Sequence, residues 1–175
     1  MRIFINIKSL FYQICHTAQR SLANNLVRTN KLNALASCLI VFTFALLGQQ
    51  ARACSLNVTG VNFDSYDVFS DTALQSTGKI YVNCASGVGY NISINAGNGT
   101  YYQRVMKSGS QILNYNLYIA PNHAIVWGKG TNGTATVSGN GADETIDHVV
   151  YGRIPPNQNV YPGSYSDTIT VEITF

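Results

Sequence analysis

Residues 164–175 read Ser164-Tyr165-Ser166-Asp167-Thr168-Ile169-Thr170-Val171-Glu172-Ile173-Thr174-Phe175. Ile169, Val171, Ile173 and Phe175 fall on one face, and Thr168, Thr170, Glu172 and Thr174 on the other. Successive side chains leave a strand on opposite sides, so this alternation predicts a half-buried β-strand with an apolar inner face. Pro162-Gly163 is a turn signal that sets where it begins. Chain termini ordinarily fray, so a strand this regular must be held by a sheet or by a partner. Two readings stay open from the segment alone: the closing strand of a complete sandwich, or an edge that something else covers.

Working back from that strand, shorter alternating runs recur: Leu56-Val58, Ile80-Val82-Cys84, Tyr90-Ile92-Ile94, Leu113-Tyr115-Leu117-Ile119 and Ile146-His148-Val150. Turn clusters separate them at 85–89, 95–99, 107–109 and 128–141, the last read as a soft, mobile loop. No helical period survives after Cys54. Strands at this spacing predict an all-β sandwich, and residues 54–175 suffice for one domain with one core.

Residues 1–53 differ in chemistry. Arg2, Lys8, Arg20, Arg28, Lys31 and Arg52 face no acidic residue there, whereas all 8 acids lie after Cys54. The formal +3 of the whole chain therefore conceals an acidic domain, and the basic balance gives no argument for nucleic-acid binding. Lys31 precedes an apolar run from Leu32 to Leu47, followed by Ala51-Arg52-Ala53. Charged flank, short apolar core and an Ala-x-Ala site predict a secretory signal cleaved after Ala53. The run is at the short end for a membrane span, which needs about 20 residues, so no integral span is expected after cleavage.

Cys15 and Cys38 would leave with that leader, and the exported part would keep Cys54 and Cys84. An even pair in an exported protein reads as a disulfide. It would join the start of the first strand to the end of the second, stabilising the fold by roughly 3–4 kcal/mol in the chain-entropy picture. The alternative, a free thiol pair, has no Cys-x-x-Cys spacing behind it.

The chemistry of sites is thin. Asp147 and His148 are adjacent, and neighbours on a strand point to opposite faces, so an exposed or edge pair is expected rather than a catalytic couple. His123 follows Pro121-Asn122 as a loop residue, and no third His or Cys stands at zinc spacing. Gly128-Lys129-Gly130-Thr131 resembles the end of a phosphate loop, but the earlier glycine is missing and no helix follows. Asp143, Glu144 and Asp147 lack the known calcium-loop spacing. Neither catalysis, metal nor cofactor is expected.

Six ordered phrases carry a resemblance. They are Val61-Asn62-Phe63-Asp64-Ser65-Tyr66, Gln103-Arg104-Val105-Met106, Leu113-Asn114-Tyr115-Asn116-Leu117-Tyr118, Val126-Trp127-Gly128, Val150-Tyr151-Gly152-Arg153-Ile154-Pro155 with Gln158, and Gly163-Ser164-Tyr165-Ser166-Asp167-Thr168. Together, from Cys54 to Phe175, they resemble the spore coat protein U domain, the subunit domain of archaic chaperone–usher pili. Asp64 stands where many relatives carry Gly. Without the family, Trp127 reads as a core anchor, Pro155-Pro156 as an extended crossing, and Tyr165 as a corner tyrosine whose hydroxyl returns to backbone.

The resemblance implies an immunoglobulin-like sandwich lacking its last strand, with a groove beside Ile169, Val171, Ile173 and Phe175. A periplasmic chaperone would fill that groove first and a strand from another pilin subunit afterwards, at an outer-membrane usher. It implies export through the periplasm to the cell surface, as a fibre or coat-like layer, with roles in adhesion or biofilm. Cleavage after Ala53 would leave nothing ahead of Cys54 to donate, which suggests a terminal or tip position. Relatives at the tip commonly carry a second domain, and a single one is expected here. Two other classes remain: a small outer-membrane β-barrel, suggested by the final Phe and many tyrosines, and a secreted carbohydrate-binding or hydrolytic β-domain.

Overall fold

The computed structural model describes residues 3–11, as a backbone strand, and 54–175. The described residues form β1 (Ile3–Phe11), β2 (Cys54–Thr59), β3 (Asn62–Phe63), β4 (Leu74–Cys84), β5 (Gly89–Ile94), β6 (Arg104–Ser108), β7 (Gln111–Tyr118), β8 (Val126–Trp127), β9 (Thr134–Ala135), β10 (Val137–Asn140), β11 (Thr145–Ile154) and β12 (Tyr165–Thr174). None of them is helical, so among the described residues no helix is long and apolar enough to cross a membrane. The expected cleavage site at Ala51 and Ala53, and Cys15 and Cys38, lie outside the described residues.

The strands make two sheets. In one, β2, β4, β11 and β7 pair antiparallel in that order. In the other, β10 pairs with β5, and β5 and β6 lie in succession along the same side of β12. One strand belongs to both sheets: β7 pairs with β6 from Gln111 to Tyr115, then with β11 from Asn116 to Tyr118. Strands that switch sheets make the corners of such sandwiches.

The inner faces meet in an apolar core. Ile80 and Val82 of β4, Ile92 and Ile94 of β5, Leu113 and Leu117 of β7, and Ile169, Val171 and Ile173 of β12 are all buried. A packed apolar interior is the reverse of a transmembrane barrel, whose apolar face points outward. Trp127 is the core anchor its singularity suggested: it is buried and its Nε1–H donates to the Ile92 carbonyl at 3.2 Å, linking the sheets. Gly152 is needed on β11 because a Cβ there would stand 2.6 Å from the Phe63 ring. Its absence lets Val61 and Phe63 lie over that strand.

Cys54 and Cys84 are direct partners in the β2–β4 ladder and form a disulfide with Cα atoms 4.2 Å apart. The segment 128–141, expected as a soft loop, instead contains β9 and β10, and β10 extends the sheet beside β5. Asn140, Gly139, Ser138 and Val137 hide that pairing because Gly and Ser carry no strand signal.

Candidate functional site: the β12 edge and its polar support

β12 buries Tyr165, Asp167, Ile169, Val171 and Ile173 on one face, as the period of two requires. The expected inner face thus holds, except at its end. β12 stops at Thr174, and Phe175 lies beyond it, 39% exposed.

The two edges of β12 are occupied differently. Toward β5, Thr170 O accepts from Asn95 N at 3.0 Å and Thr170 N donates to Asn95 Oδ1 at 3.0 Å. Backbone groups of successive strand residues point to alternate edges, so those of Ile169, Val171 and Ile173 face the other way. There β1 runs parallel to β12 over its whole length, Ile3 opposite Tyr165 through Phe11 opposite Ile173. The far side of β1 meets β3 at Asn62 and Phe63. The slot between β12 and β3 is therefore one strand wide. β1 was not legible as a strand of this domain; its residues were read as leader.

Behind the slot lies a buried polar cluster at the point where β7 changes sheets. Arg104 is fully buried. Its guanidinium donates to Asn95 O at 2.8 and 3.2 Å, to Trp127 O at 2.8 Å and to Asn116 Oδ1 at 2.6 Å. Asn116 Nδ2 in turn donates to Tyr101 O at 2.9 Å. On β12, Asp167 accepts from Tyr115 Oη at 2.7 Å, from Asn98 N at 3.1 Å and from Thr168 N at 2.7 Å. Gly97, at φ +62°, permits that approach, since a Cβ there would run into the Asp167 carboxylate. The cluster ties loop 95–103 to both β7 and β12, and every buried side-chain polar atom among the described residues has a partner.

Burial pushes the Asp167 carboxyl above its ordinary range, against the hydrogen bonds from Tyr115, Thr168 and Asn98 and the charge of Arg104. Burial likewise lowers Arg104 and raises Tyr115. A carboxyl whose folded value is raised holds its proton longer in the folded state. Its stability contribution is therefore complete below the unfolded value and is lost as pH rises through the folded one. Urea midpoints of wild type and Asp167→Asn, followed from about pH 3.5 to 6.5, should diverge in the variant's favour as pH rises and then level off. A difference that stays constant or shrinks would contradict the raised carboxyl.

Tyr165 is a corner tyrosine, its hydroxyl donating to Tyr161 O at 2.8 Å. Gln158 explains its place in the motif: its side-chain amide accepts from Asn114 N at 2.7 Å and donates to Asn114 O at 2.9 Å, adding a rung beside β7. Asp147 pairs with Lys79 at 3.0 Å, while His148 Nε2 meets Tyr90 Oη at 2.9 Å. The two side chains do serve different partners, but His148 is half-buried and burial lowers its pKa. His123 lies in a loop at φ 53°, its ring edge-on to Tyr118 at 5.0 Å. Asp143 is taken up by Ser86 N at 3.0 Å, and no group of three metal-ligating side chains forms among the described residues. Lys129 of the phosphate-loop-like stretch stands 3.8 Å from Glu172.

Protein U of Myxococcus xanthus is 30% identical over 131 residues, 66% of this chain and 71% of that protein. A solved chain from the CsuC–CsuE chaperone–tip adhesion subunit pre-assembly complex, of the archaic chaperone–usher Csu pili of Acinetobacter baumannii, is similar in fold. Its TM-score is 0.53 at 24% identity, over 70% of this chain and 39% of that one, so this chain spans well under half its length. The model of the Spore Coat Protein U domain matches residues 40–172, beginning ahead of Cys54. With that match running across both sheets and into β12 as far as Glu172, the chain belongs to the Spore Coat Protein U domain family.

Proposed function

We propose that the chain is an exported, non-catalytic structural subunit of a chaperone–usher surface fibre, completed by a strand from a partner. The observation that carries this reading is the outer edge of β12. Within the chain that edge is taken over nine paired positions by a segment remote in sequence, Ile3–Phe11, which the leader reading would remove. Residues 54–175 would then present the backbone groups of Ile169, Val171 and Ile173, and the core behind them, to any added strand. An unpaired edge over an apolar core is an aggregation hazard, and strand addition resolves it through main-chain bonds with side-chain pockets setting register.

The partners in this reading are a periplasmic chaperone, an outer-membrane usher and other subunits, the chaperone taking the edge first. The likeness in fold to the Csu complex supports it. The groove residues are Ile169, Val171 and Ile173, with Phe175 at its mouth. Removal of residues 1–53 after Ala53 and display at the cell surface belong to the same proposal, and so does a terminal place in the fibre.

Expression in the periplasm tests it. Produced alone, the processed protein should be recovered mainly as aggregate; with its cognate chaperone it should be soluble as a one-to-one complex. A soluble, cooperatively unfolding monomer starting at Cys54 would show that the sandwich needs no added strand.

A further inference from the structure

Away from the β12 edge, a cavity of about 420 Å³ opens where β6, β7 and the end of β11 converge. Its walls include Tyr102, Gln103, Asn114, Tyr118, Arg153 and Gln158. Its volume is that of a small-molecule site. Three features of it bear on a ligand.

The first is charge. Arg153 projects from β11, opposite Asn116 of β7, and no acidic residue lines the cavity. The two ion pairs among the described residues are Lys79–Asp147 and Lys129–Glu172, so the Arg153 guanidinium has no carboxylate partner there. Its field reaches His123, which burial and then Arg153 hold below its ordinary pKa. The second is aromatic surface. Tyr102 is 80% exposed at the rim, which leaves its ring face open to a ligand. The third is rigidity. Gln158 is fixed by its bonds to Asn114 and to Pro155 O at 3.1 Å, and Asn116 beneath is fixed by Arg104. The wall is therefore preorganised.

An aromatic face, the side-chain amides of Gln103 and Asn114 and one unpaired guanidinium select a ligand with a ring to stack, hydroxyls to bond and one carboxylate. A guanidinium meets a carboxylate through two parallel hydrogen bonds, which a neutral sugar cannot offer. We propose that this cavity is a binding site for carboxylated saccharides of the uronic-acid class, with Arg153 taking the carboxylate and Tyr102 the sugar face. The site is independent of strand addition, since it lies on the β6–β7–β11 side and uses no residue of β12.

Calorimetry on the partner-bound protein tests the proposal, with trigalacturonate, galactotriose and a tetraglutamate peptide as probes and the partner alone as the blank. Trigalacturonate should bind at least tenfold more tightly than either of the others. Arg153→Gln should weaken trigalacturonate at least tenfold without changing galactotriose, Arg153→Lys should restore only part, and Tyr102→Ala should weaken both sugars. Unchanged melting temperatures guard against misfolding, and the exposed Tyr102 supplies a second variant if Arg153→Gln is unstable. Equal binding of the two sugars, no sugar binding at millimolar concentration, a peptide that binds as well, or indifference to both variants would each overturn the site.

Discussion

Arg104→Ala is expected to remove about 3–5 kcal/mol of stability, a large fraction of what a domain of this size has. The side chain is fully buried and bonds three separate elements: the 95–103 loop, β8 through Trp127, and β7 through Asn116. Truncation strands buried carbonyl oxygens without donors, and that desolvation cost exceeds the worth of the bonds themselves. It also leaves a cavity under the corner where β7 leaves one sheet for the other. Arg104→Lys should rescue little, because one ammonium cannot reproduce a fork aimed in three directions. Urea denaturation of the partner-bound protein would measure both. A loss below about 1 kcal/mol for Ala would mean that water replaces the guanidinium and that the cluster is not a structural pin.

Val171→Asp should abolish recovery of the chaperone complex. Val171 is fully buried, paired to Ile94 on one side and facing the strand slot on the other. A carboxylate there has no partner, and burying one costs several kcal/mol. Ile173→Asp should act alike. Thr168→Asp places the same charge on the exposed face of the same strand and should change recovery by less than about twofold. Copurification from periplasmic extract compares them directly. Equal recovery of Val171→Asp and Thr168→Asp would mean that the inner face of β12 is not the binding surface.

Much of this was legible in the residues. The alternation from Tyr165 onward located β12 and its buried face, and Cys54 and Cys84 marked the β2–β4 pairing. What escaped had a common cause: polar residues placed inside. β6 buries Arg104 in phase with Met106, and an arginine at an inward position breaks the apolar alternation that marks a strand. Asp167 likewise interrupts the inward series of β12, and its role becomes visible only when Tyr115 and the 95–103 loop are brought beside it. β10 escaped because its run of Val, Ser, Gly and Asn reads as a turn. The β1 pairing escaped for another reason: a charged, apolar amino terminus carries the signature of a leader whatever edge it can fill.

Hydrogen exchange along β12 tests the central claim most directly, because the two edges of the strand report through alternate residues. In the full chain, the amides of Ile169 and Val171 should be protected by β1, and that of Thr170 by Asn95. Once residues 1–53 are removed, protection at Ile169 and Val171 should collapse while Thr170 keeps its own, and adding the chaperone should restore it. If Ile169 and Val171 remain protected in the processed monomer without any partner, β12 has no open edge and the strand-addition account is wrong.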